Sequence, residues 1–319
     1  MRIVIYGIGA IGGTVAAQLS RSGCQVVGIA RGKQLEAVRS HGLKLHSPTG
    51  TSTASFPVCA APEEISFSPD DVVLLTMKGQ DTASALLRLR SAGVVHQPIF
   101  CFQNGVANEP AALRFFENVY GVTVMLPADY DTPGEVFAYG APKIGIFEIG
   151  RYPTGSDRTV EDLCRILNDS GFMAYPRSDV MKSKHRKLLL NLQNITEVLF
   201  GDPQVRTKWR DLARAEGEAV LAAAGIEWDE SDALIRKDLK ITTIPNRTRI
   251  GSSTLQSALR GTGSLETDYL NGEIVYLGRL HGFATPINSA FCRLAAEVAQ
   301  GRMEPRTATD ETVEALARP

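Results

Sequence analysis

A glycine-rich segment near the start of the chain has the residue types and the spacing of a nucleotide-binding turn. Gly7, Gly9 and Gly12 form the pattern G-x-G-x-x-G, directly after an apolar run over 1–6 and before a helical pattern over 14–21. In such a turn the first glycine permits a tight bend, the second lets a pyrophosphate approach the backbone, and the third lets the helix pack closely on the strand. A glycine-rich turn without a ligand is the alternative. We expect phosphate binding by the turn residues Gly7, Ile8, Gly9, Ala10, Ile11 and Gly12.

The end of the second predicted strand favours NADP(H) over NAD(H). This strand covers 25–29, and Arg31 follows it with no carboxylate before Glu36. An Asp or Glu here would hold the ribose 2′-hydroxyl of NAD, whereas a guanidinium can grip a 2′-phosphate through paired hydrogen bonds. We therefore predict that Arg31 binds the 2′-phosphate of NADP(H). A solvated cation at the strand end is the alternative.

Length, composition and charge describe a globular protein and exclude several classes of function. The chain has 319 residues, 44% of them hydrophobic, and a formal net charge of −1. Such a charge gives no general attraction to nucleic acid or to anionic membranes. We see no secretory signal and no apolar run of about 18 residues, so we predict no membrane span.

The five cysteines are odd in number and widely spaced, which favours reduced thiols and a cytoplasmic location. The five histidines show no metal-ligand spacing, so we predict no metal.

The order of the predicted elements indicates an α/β fold with two domains. Strands alternate with helices in the first part of the chain, which predicts an N-terminal Rossmann domain, a doubly wound parallel sheet. Turns at 133–134 and 140–142 indicate antiparallel strands between 119 and 149. From about Ser178 the chain reads as almost entirely helical. We therefore predict a Rossmann domain over 1–177 and an all-α domain over 178–319.

The individual elements follow from the apolar periodicity and the turn residues. Strands are predicted at 1–6, 25–29, 43–46, 71–76 and 98–102. Helices are predicted at 14–21, 34–41, 82–90, 110–116, 157–170, 179–200, 205–224, 266–281 and 286–300.

Two polar segments follow predicted strands of the Rossmann domain. Lys78 follows the strand at 71–76, and Asn104 follows the strand at 98–102. Ligands of doubly wound folds bind outside the carboxyl ends of the strands, so we expect both side chains beside the nicotinamide. A surface lysine and a turn-forming Asn-Gly pair are the alternatives.

The helix predicted at 179–200 carries a narrow polar stripe in apolar surroundings. At about 100° per residue, Lys187, Asn191 and Asn194 fall within roughly 60° of one another. Unpaired buried polar groups cost about 1–3 kcal/mol each, so the stripe needs partners or a ligand. A lysine there can protonate or clamp a carbonyl oxygen. The alternative is a surface lysine, with asparagines that bond neighbouring helices.

Two later segments could complete a site for a small acid. The stretch 251–256 reads as a loop entering a helix, and its N–H and hydroxyl groups, including that of Ser253, suit a carboxylate. Glu266 opens a helical pattern and could pair with Lys187 to orient it. The alternatives are an ordinary helix N-cap for Ser253 and a first-turn charge for Glu266.

Together these motifs resemble the ketopantoate reductase (2-dehydropantoate 2-reductase) family over nearly the whole chain. The matching segments are the glycine turn, Arg31, 78–82, 103–105, 187–191, 252–256 and 266–272. The resemblance implies a Rossmann domain, a helical domain and an active site in the cleft between them. It also implies an oxidoreductase that reduces a 2-keto acid with NADPH in pantothenate biosynthesis.

The resemblance also assigns roles to residues of this chain. Lys187 matches the proton-donating lysine, and Glu266 matches the acid that positions the substrate or the lysine. Lys78 matches a lysine at the cofactor–substrate edge. Three residues match substrate-binding positions: Asn104, Asn191 and Ser253. Asn194 is counted with this set because it is the neighbour of the position where the family commonly has a further asparagine.

Departures from the family pattern surround the substrate rather than the cofactor. Ile195 stands where the family commonly has that further asparagine, and Ser257 stands where an aspartate is frequent. One residue is inserted between Ser253 and Glu266. The leading hypothesis is reduction of 2-dehydropantoate to pantoate. A same-fold reductase of another 2-keto acid, an opine-type dehydrogenase and a non-catalytic NADP(H)-binding sensor stay open, and so does a homodimer.

Overall fold

The computed structural model describes residues 1–230, 239–261 and 263–318, which fall into two compact units. The first unit contains 1–103, 108–184 and the described part of 231–249. The second contains 104–107, 185–230 and the described part of 250–319. The domain boundary after Arg177 stays a prediction. The compact units divide within a helix, between Lys184 and His185.

The first unit is built on an eight-stranded sheet whose middle is parallel. The strands are β1 (Arg2–Tyr6), β2 (Val26–Ile29), β5 (Val58–Cys59), β6 (Asp71–Leu75), β7 (Ile99–Cys101), β8 (Val119–Met125), β12 (Ile146–Arg151) and β13 (Met173–Pro176). Their order is β13-β12-β8-β7-β6-β1-β2-β5, with β12 antiparallel to β8 and parallel to β13. This confirms the Rossmann fold, with two strands added at one edge that run antiparallel to the others.

The strand predicted at 43–46 belongs to a second, four-stranded sheet. Strands β3 (Leu43–Ser47) and β4 (Gly50–Ala54) form an antiparallel hairpin, and β10 (Glu135–Ala138) pairs parallel to β3. Strand β9 (Ala128–Asp129) completes the order β4-β3-β10-β9. The tight turn after Ser47 folds the chain back at once, so β3 pairs locally and β5 takes the place beside β2.

Two apolar layers cover the central sheet. Ile3 and Ile5 of β1 face one cluster and Val4 faces the other, as expected of a strand buried on both sides. Leu86 and Leu89 of the third helix complete the second layer. The helices of this unit are α1 (Ala10–Arg21), α2 (Gly32–His41), α3 (Thr82–Ser91), α4 (Asn108–Leu113) and α5 (Arg158–Asp169).

The second unit is helical, and two helices predicted as continuous are interrupted. The helix predicted at 179–200 becomes α6 (Val180–Asn191), a 3-10 turn over Leu192–Ile195 and α7 (Thr196–Leu199). The helix predicted at 266–281 is broken because Leu270, at φ −118° and ψ −83°, leaves the helical region. The helices are α6 (Val180–Asn191), α7 (Thr196–Leu199), α8 (Pro203–Ala223), α9 (Ser253–Leu259), α10 (Asn271–His281), α11 (Pro286–Ala299) and α12 (Asp310–Ala317).

One strand lies in the part that the sequence analysis reads as almost entirely helical. Strand β14 (Leu239–Ile241) belongs to the first unit, where it pairs antiparallel with β11 (Gly140–Pro142). Ile244 packs there with Phe137 and Tyr139. Across the described residues, we find no helix long and apolar enough to cross a membrane.

Candidate active site

The glycine turn between β1 and α1 is shaped by close backbone contacts. Gly7 has φ +112°, and a Cβ atom there would lie 2.8 Å from the Met77 backbone nitrogen. A Cβ atom on Gly12 would overlap the Gly7 carbonyl oxygen and the Thr76 hydroxyl. At Gly9, by contrast, no atom lies within 4 Å of a Cβ position. Two glycines are thus required by packing, and the third leaves the backbone open to a ligand.

The carbonyl groups of this turn are held by donors of the protein. The Thr76 hydroxyl lies 3.0 Å from the Tyr6 carbonyl and 2.8 Å from the Gly7 carbonyl. The Gln34 amide donates to the Ile8 carbonyl at 2.8 Å and accepts the Gly134 N–H at 2.7 Å. Carbonyl oxygens repel phosphate, so anchoring them within the protein favours N–H groups on the ligand side. Sequence reasoning missed Gln34, because its two partners are remote in the chain.

The start of α1 is suited to an anion. Gly9 is its N-cap and offers no side-chain cap, and no acidic residue lies in the first turn. The uncapped N–H groups and the helix dipole therefore favour a negatively charged group. Together with the open backbone at Gly9, this set of residues fits the pyrophosphate of a dinucleotide.

Arg31 stands at the carboxyl edge of the sheet, as predicted, but it has a carboxylate partner. Its guanidinium lies 3.4 Å from the Asp81 carboxylate, and both side chains are exposed. Asp81 ends the 3-10 turn Gly79–Asp81, which Lys78 precedes. Lys78 is half-buried at this edge. Sequence reasoning missed this partner, because Asp81 comes 50 positions after Arg31 in the chain.

A buried polar network ties the segment of Lys78 to the end of β7. The Gln103 amide donates to the Met77 carbonyl at 3.0 Å and to the Thr82 hydroxyl at 2.7 Å. The Thr82 hydroxyl donates in turn to the Asn108 side chain at 2.8 Å. Gln103 therefore fixes one predicted cofactor segment against the strand end that leads into Asn104.

The end of β7 is also held by a buried ion pair between a residue of α6 and a residue of α4. The Lys184 ammonium lies 2.7 Å from the Glu109 carboxylate, with side-chain exposures of 2% and 0%. It also donates to the carbonyls of Gln103, at 2.9 Å, and Val122, at 3.2 Å. Burial raises the pKa of the Glu109 carboxyl, and the Lys184 charge opposes this rise. Sequence reasoning missed this pair, because Glu109 and Lys184 are remote from each other in the chain.

Lys187, Asn191 and Asn194 all lie in the second unit. Lys187 is half-buried on α6, and Asn191 ends the helix at 5% exposure. The 3-10 turn that follows brings positions i and i+3 into line, so Asn194 stays on the side of Asn191 despite the change of helix type. Among the described residues, the Asn191 side-chain nitrogen has no hydrogen-bond partner. Such a buried donor is suited to a ligand oxygen.

The loop before α9 is held by a carboxylate of α7. The Glu197 side chain accepts the Ser252 N–H at 2.7 Å, and the Ser252 hydroxyl donates to the Asn194 carbonyl at 3.2 Å. Ser252 also caps α9 by accepting the Leu255 N–H. The capping position is therefore Ser252, and the Ser253 hydroxyl is not used for this purpose. Glu197 was missed, since nothing in its sequence neighbourhood points to the loop.

The segment of Glu266 meets the turn of Asn104 in the second unit. Glu266 is buried at 3% exposure and opens the 3-10 turn Glu266–Tyr269. A Cβ atom on Gly105, at φ +78°, would lie 2.8 Å from the Tyr269 carbonyl oxygen. The Asn104–Gly105 turn therefore packs directly on the segment that carries Glu266.

An asparagine pair joins this segment to the turn after Asn191. The Asn271 side chain donates to the Leu192 carbonyl at 3.1 Å and to the Asn288 side-chain oxygen at 2.9 Å. Asn288 is fully buried and donates to Glu216 at 2.7 Å. The predicted catalytic and substrate residues thus share one unit, whereas the glycine turn, Arg31 and Lys78 lie in the other.

The sequence matches the two parts of one protein family, which together cover most of the chain. Residues 3–153 match "Ketopantoate reductase PanE/ApbA", and residues 179–299 match its C-terminal counterpart. The chain belongs to the ketopantoate reductase family. It is therefore an oxidoreductase that acts on a CH–OH group. Ketopantoate reductases use NADPH, which confirms the predicted cofactor.

Curated relatives and solved structures agree with this assignment. The 2-dehydropantoate 2-reductase of Archaeoglobus fulgidus is 30% identical over 311 residues, 94% of this chain and 98% of its own. That of Pyrococcus horikoshii is 28% identical, over 90% of this chain and 94% of its own. A PanE/ApbA family ketopantoate reductase from Ralstonia eutropha is 26% identical with a TM-score of 0.78, covering 95% of this chain and 99% of its own.

The same fold also occurs in a dehydrogenase of another acid. The ternary structure of D-mandelate dehydrogenase with NADH and anilino(oxo)acetate has a TM-score of 0.76 and covers 99% of each chain. At 23% identity this likeness concerns the fold alone.

Proposed function

We propose that this protein reduces a 2-keto acid to a 2-hydroxy acid with NADPH, and that 2-dehydropantoate is the substrate and pantoate the product. Membership of the ketopantoate reductase family supports the reaction class. The observation that carries the assignment of the substrate side is the buried Asn191 side-chain nitrogen, which lies one helical turn after Lys187 and lacks a hydrogen-bond partner among the described residues.

Lys187 is proposed as the proton donor. NADPH, when bound, supplies a hydride to the C2 carbonyl carbon of the substrate. The Lys187 ammonium holds a proton at Nζ and transfers it to the carbonyl oxygen as negative charge develops there. Glu266, buried at the start of its 3-10 turn, orients the substrate or the lysine.

The remaining polar residues are proposed to hold the substrate. Asn191 and Asn194 donate to its oxygen atoms, and Ser253, at the start of α9, offers its hydroxyl and backbone N–H to the carboxylate. Asn104 directly follows Gln103 in the chain, and the Asn104–Gly105 turn packs on the segment that carries Glu266. On the cofactor side, the residues from Gly7 to Gly12 take the pyrophosphate, Arg31 takes the 2′-phosphate and Lys78 lies at the cofactor–substrate edge.

Turnover of 2-keto acids by the intact chain tests the proposal. NADPH oxidation is followed at 340 nm with 2-dehydropantoate and with a panel of branched, aromatic and amino-acid-derived 2-keto acids. We expect Lys187→Ala to lower kcat by about 10²–10⁴, the usual contribution of general acid catalysis. The matched control is Lys182→Ala, which removes the same charge from the same helix and should leave kcat within about twofold.

The outcomes separate the three hypotheses. Preference for 2-dehydropantoate supports the proposal, and preference for another 2-keto acid favours the second hypothesis. NADPH binding without turnover of any acid would favour a sensor module and refute the catalytic assignment. Unchanged kcat in Lys187→Ala would remove Lys187 from the mechanism.

A reductase of a different 2-keto acid is the second candidate, favoured by Ile195. This residue is 1% exposed and packs in the apolar core with Leu255 and Leu265. A position where the family commonly has an asparagine therefore contributes to the core and offers no polar group to a substrate. An acid with fewer hydroxyl groups than 2-dehydropantoate would lose less from this exchange. The cytoplasmic location, the homodimer and the absence of a metal stay predictions.

A further inference from the structure

The ion pair of Arg31 and Asp81 lies where the cofactor's 2′-phosphate is expected. Arg31 comes two positions after β2, and Asp81 comes six positions after β6. Strands β2 and β6 are the two neighbours of β1, on either side. Adjacent strands are about 4.8 Å apart, so the pair reaches over about 10 Å of the sheet edge at which the glycine turn begins.

The Asp81 side chain is not used to cap the helix that it precedes. It is the N-cap residue of α3, yet its side chain makes no capping hydrogen bond. Its carboxylate instead lies 3.4 Å from the Arg31 guanidinium, and the two side chains are 37% and 75% exposed. Exposed ion pairs of this kind contribute little to stability and open readily. Arg31 can therefore exchange this carboxylate for another anion.

We propose that Asp81 sets how strongly this protein distinguishes NADPH from NADH, because it competes with the 2′-phosphate for Arg31. This inference rests on the proposed function, in which Arg31 holds that phosphate. A phosphate monoester carries about −1.5 to −2 charges at neutral pH. Binding of NADPH must therefore break the ion pair and bring like charges together, whereas NADH brings no phosphate to this position. Asp81 thus lowers the affinity for NADPH selectively.

Cofactor titration of the intact protein tests this without any turnover. The dissociation constants of NADPH and NADH are measured by isothermal titration or nicotinamide fluorescence for wild type and Asp81→Asn. We expect Asp81→Asn to bind NADPH about tenfold more tightly, from the removal of one like charge a few ångströms away. NADH affinity should change by less than about twofold. The gain should shrink in 0.5 M salt, since both groups are exposed.

Two further variants make the comparison specific. Asp70→Asn removes the same charge from the exposed residue directly before β6, at the opposite end of that strand, and should leave both affinities unchanged. In an Arg31→Ala background, Asp81→Asn should lose most of its effect if the competition acts through Arg31. That double-mutant cycle isolates the coupling between the two side chains.

The inference is overturned if Asp81→Asn leaves NADPH affinity unchanged or alters both cofactors alike. It is also overturned if the substitution weakens NADH, which would make Asp81 a ligand of the ribose hydroxyls. Wild-type protein that binds neither cofactor would instead refute the proposed function. The two failures are therefore distinguishable in one titration series.

Discussion

Replacing Lys184 by methionine should destabilise the first unit strongly. Methionine keeps much of the side-chain volume but leaves the Glu109 carboxylate buried without its counter-charge. Removing one partner of a buried ion pair costs about 3–5 kcal/mol. The carbonyls of Gln103 and Val122 lose their charged donor as well. We therefore expect a loss of about 3–5 kcal/mol in the free energy of unfolding at pH 8.

The pH dependence of this loss follows from the sign of the Glu109 shift. Burial already raises the pKa of Glu109 above its ordinary value of 4.5, and Lys184→Met raises it further by removing the opposing charge. With a raised folded pKa, the folded state binds more protons than the unfolded state above pH 4.5. The free energy of unfolding then falls as pH increases, by at most about 1.4 kcal/mol per pH unit for one group. The variant should therefore lie closest to wild type near pH 5.

Urea denaturation followed by two probes measures the loss. Far-ultraviolet circular dichroism reports on both units. Both tryptophans, Trp209 and Trp228, belong to the second unit, so their fluorescence reports on that unit alone. If the units unfold separately, the circular dichroism transition should move to lower urea while the tryptophan transition stays.

The matched control is the double variant Lys184→Met/Glu109→Gln. The neutral amide no longer needs a counter-charge, so the double variant should recover about 2 kcal/mol relative to Lys184→Met and lose its pH dependence. A loss below about 1 kcal/mol in Lys184→Met, or equal losses at pH 5 and pH 8, would refute the assignment of a buried charge pair.

Three other substitutions test the two sets of site residues. Gly12→Ala should lower the free energy of unfolding, since its Cβ would overlap the Gly7 carbonyl, whereas Gly9→Ala meets open space in the protein and should leave stability nearly unchanged. Gly9→Ala should still weaken NADPH binding about tenfold, because its Cβ would occupy the space left for the pyrophosphate. Urea denaturation and cofactor titration check both variants, and equal losses of stability would contradict the packing argument. Glu197→Gln should raise KM for the keto acid about three- to tenfold with kcat nearly unchanged, because the Ser252 N–H loses a charged acceptor. Steady-state kinetics measures this, and a fall in kcat alone would contradict a role in holding the loop.

Local sequence signals were sufficient for the parts of the fold that are built locally. Strand β1, the glycine turn and α1 are continuous in the chain, and their apolar run and glycine spacing fix them together. The position of β3 was not predictable in this way. The sequence of β3 predicts a strand but does not indicate which of the two sheets it joins. Its place in the second sheet depends on the hairpin turn to β4 and on pairing with β10, about 90 residues later.

The break after Asn191 was missed for a different reason. An α-helix and a 3-10 helix both present residues three apart on one side, so the apolar spacing continues through the change. Lys187, Asn191 and Asn194 therefore stay on one side of the chain whether or not the helix type changes after Asn191. A prediction of which residues share a face can therefore be sound when the assignment of the element is not.

The residues that sequence reasoning missed share one property: they act on backbone groups of distant segments. Gln34 binds the glycine turn, Glu197 binds the loop of Ser252, and Asn271 binds the turn after Asn191. A backbone carbonyl or N–H carries no sequence signature, so no pattern identifies its partner. These contacts nevertheless determine where the groups proposed to bind ligands are held.

This arrangement separates the residues proposed to set substrate choice from those that hold the site in shape. Asn271 and Asn288 are buried, bonded to protein partners and placed behind the turn that Asn191 precedes. Their replacement would leave unpaired groups in the core and so cost stability with any substrate. At Ile195 the side chain is apolar and packs in the core, so an isoleucine in place of the family's common asparagine removes a polar group without leaving one unpaired. The exchange at Ile195 is therefore expected to act on the choice of keto acid and not on the reaction type.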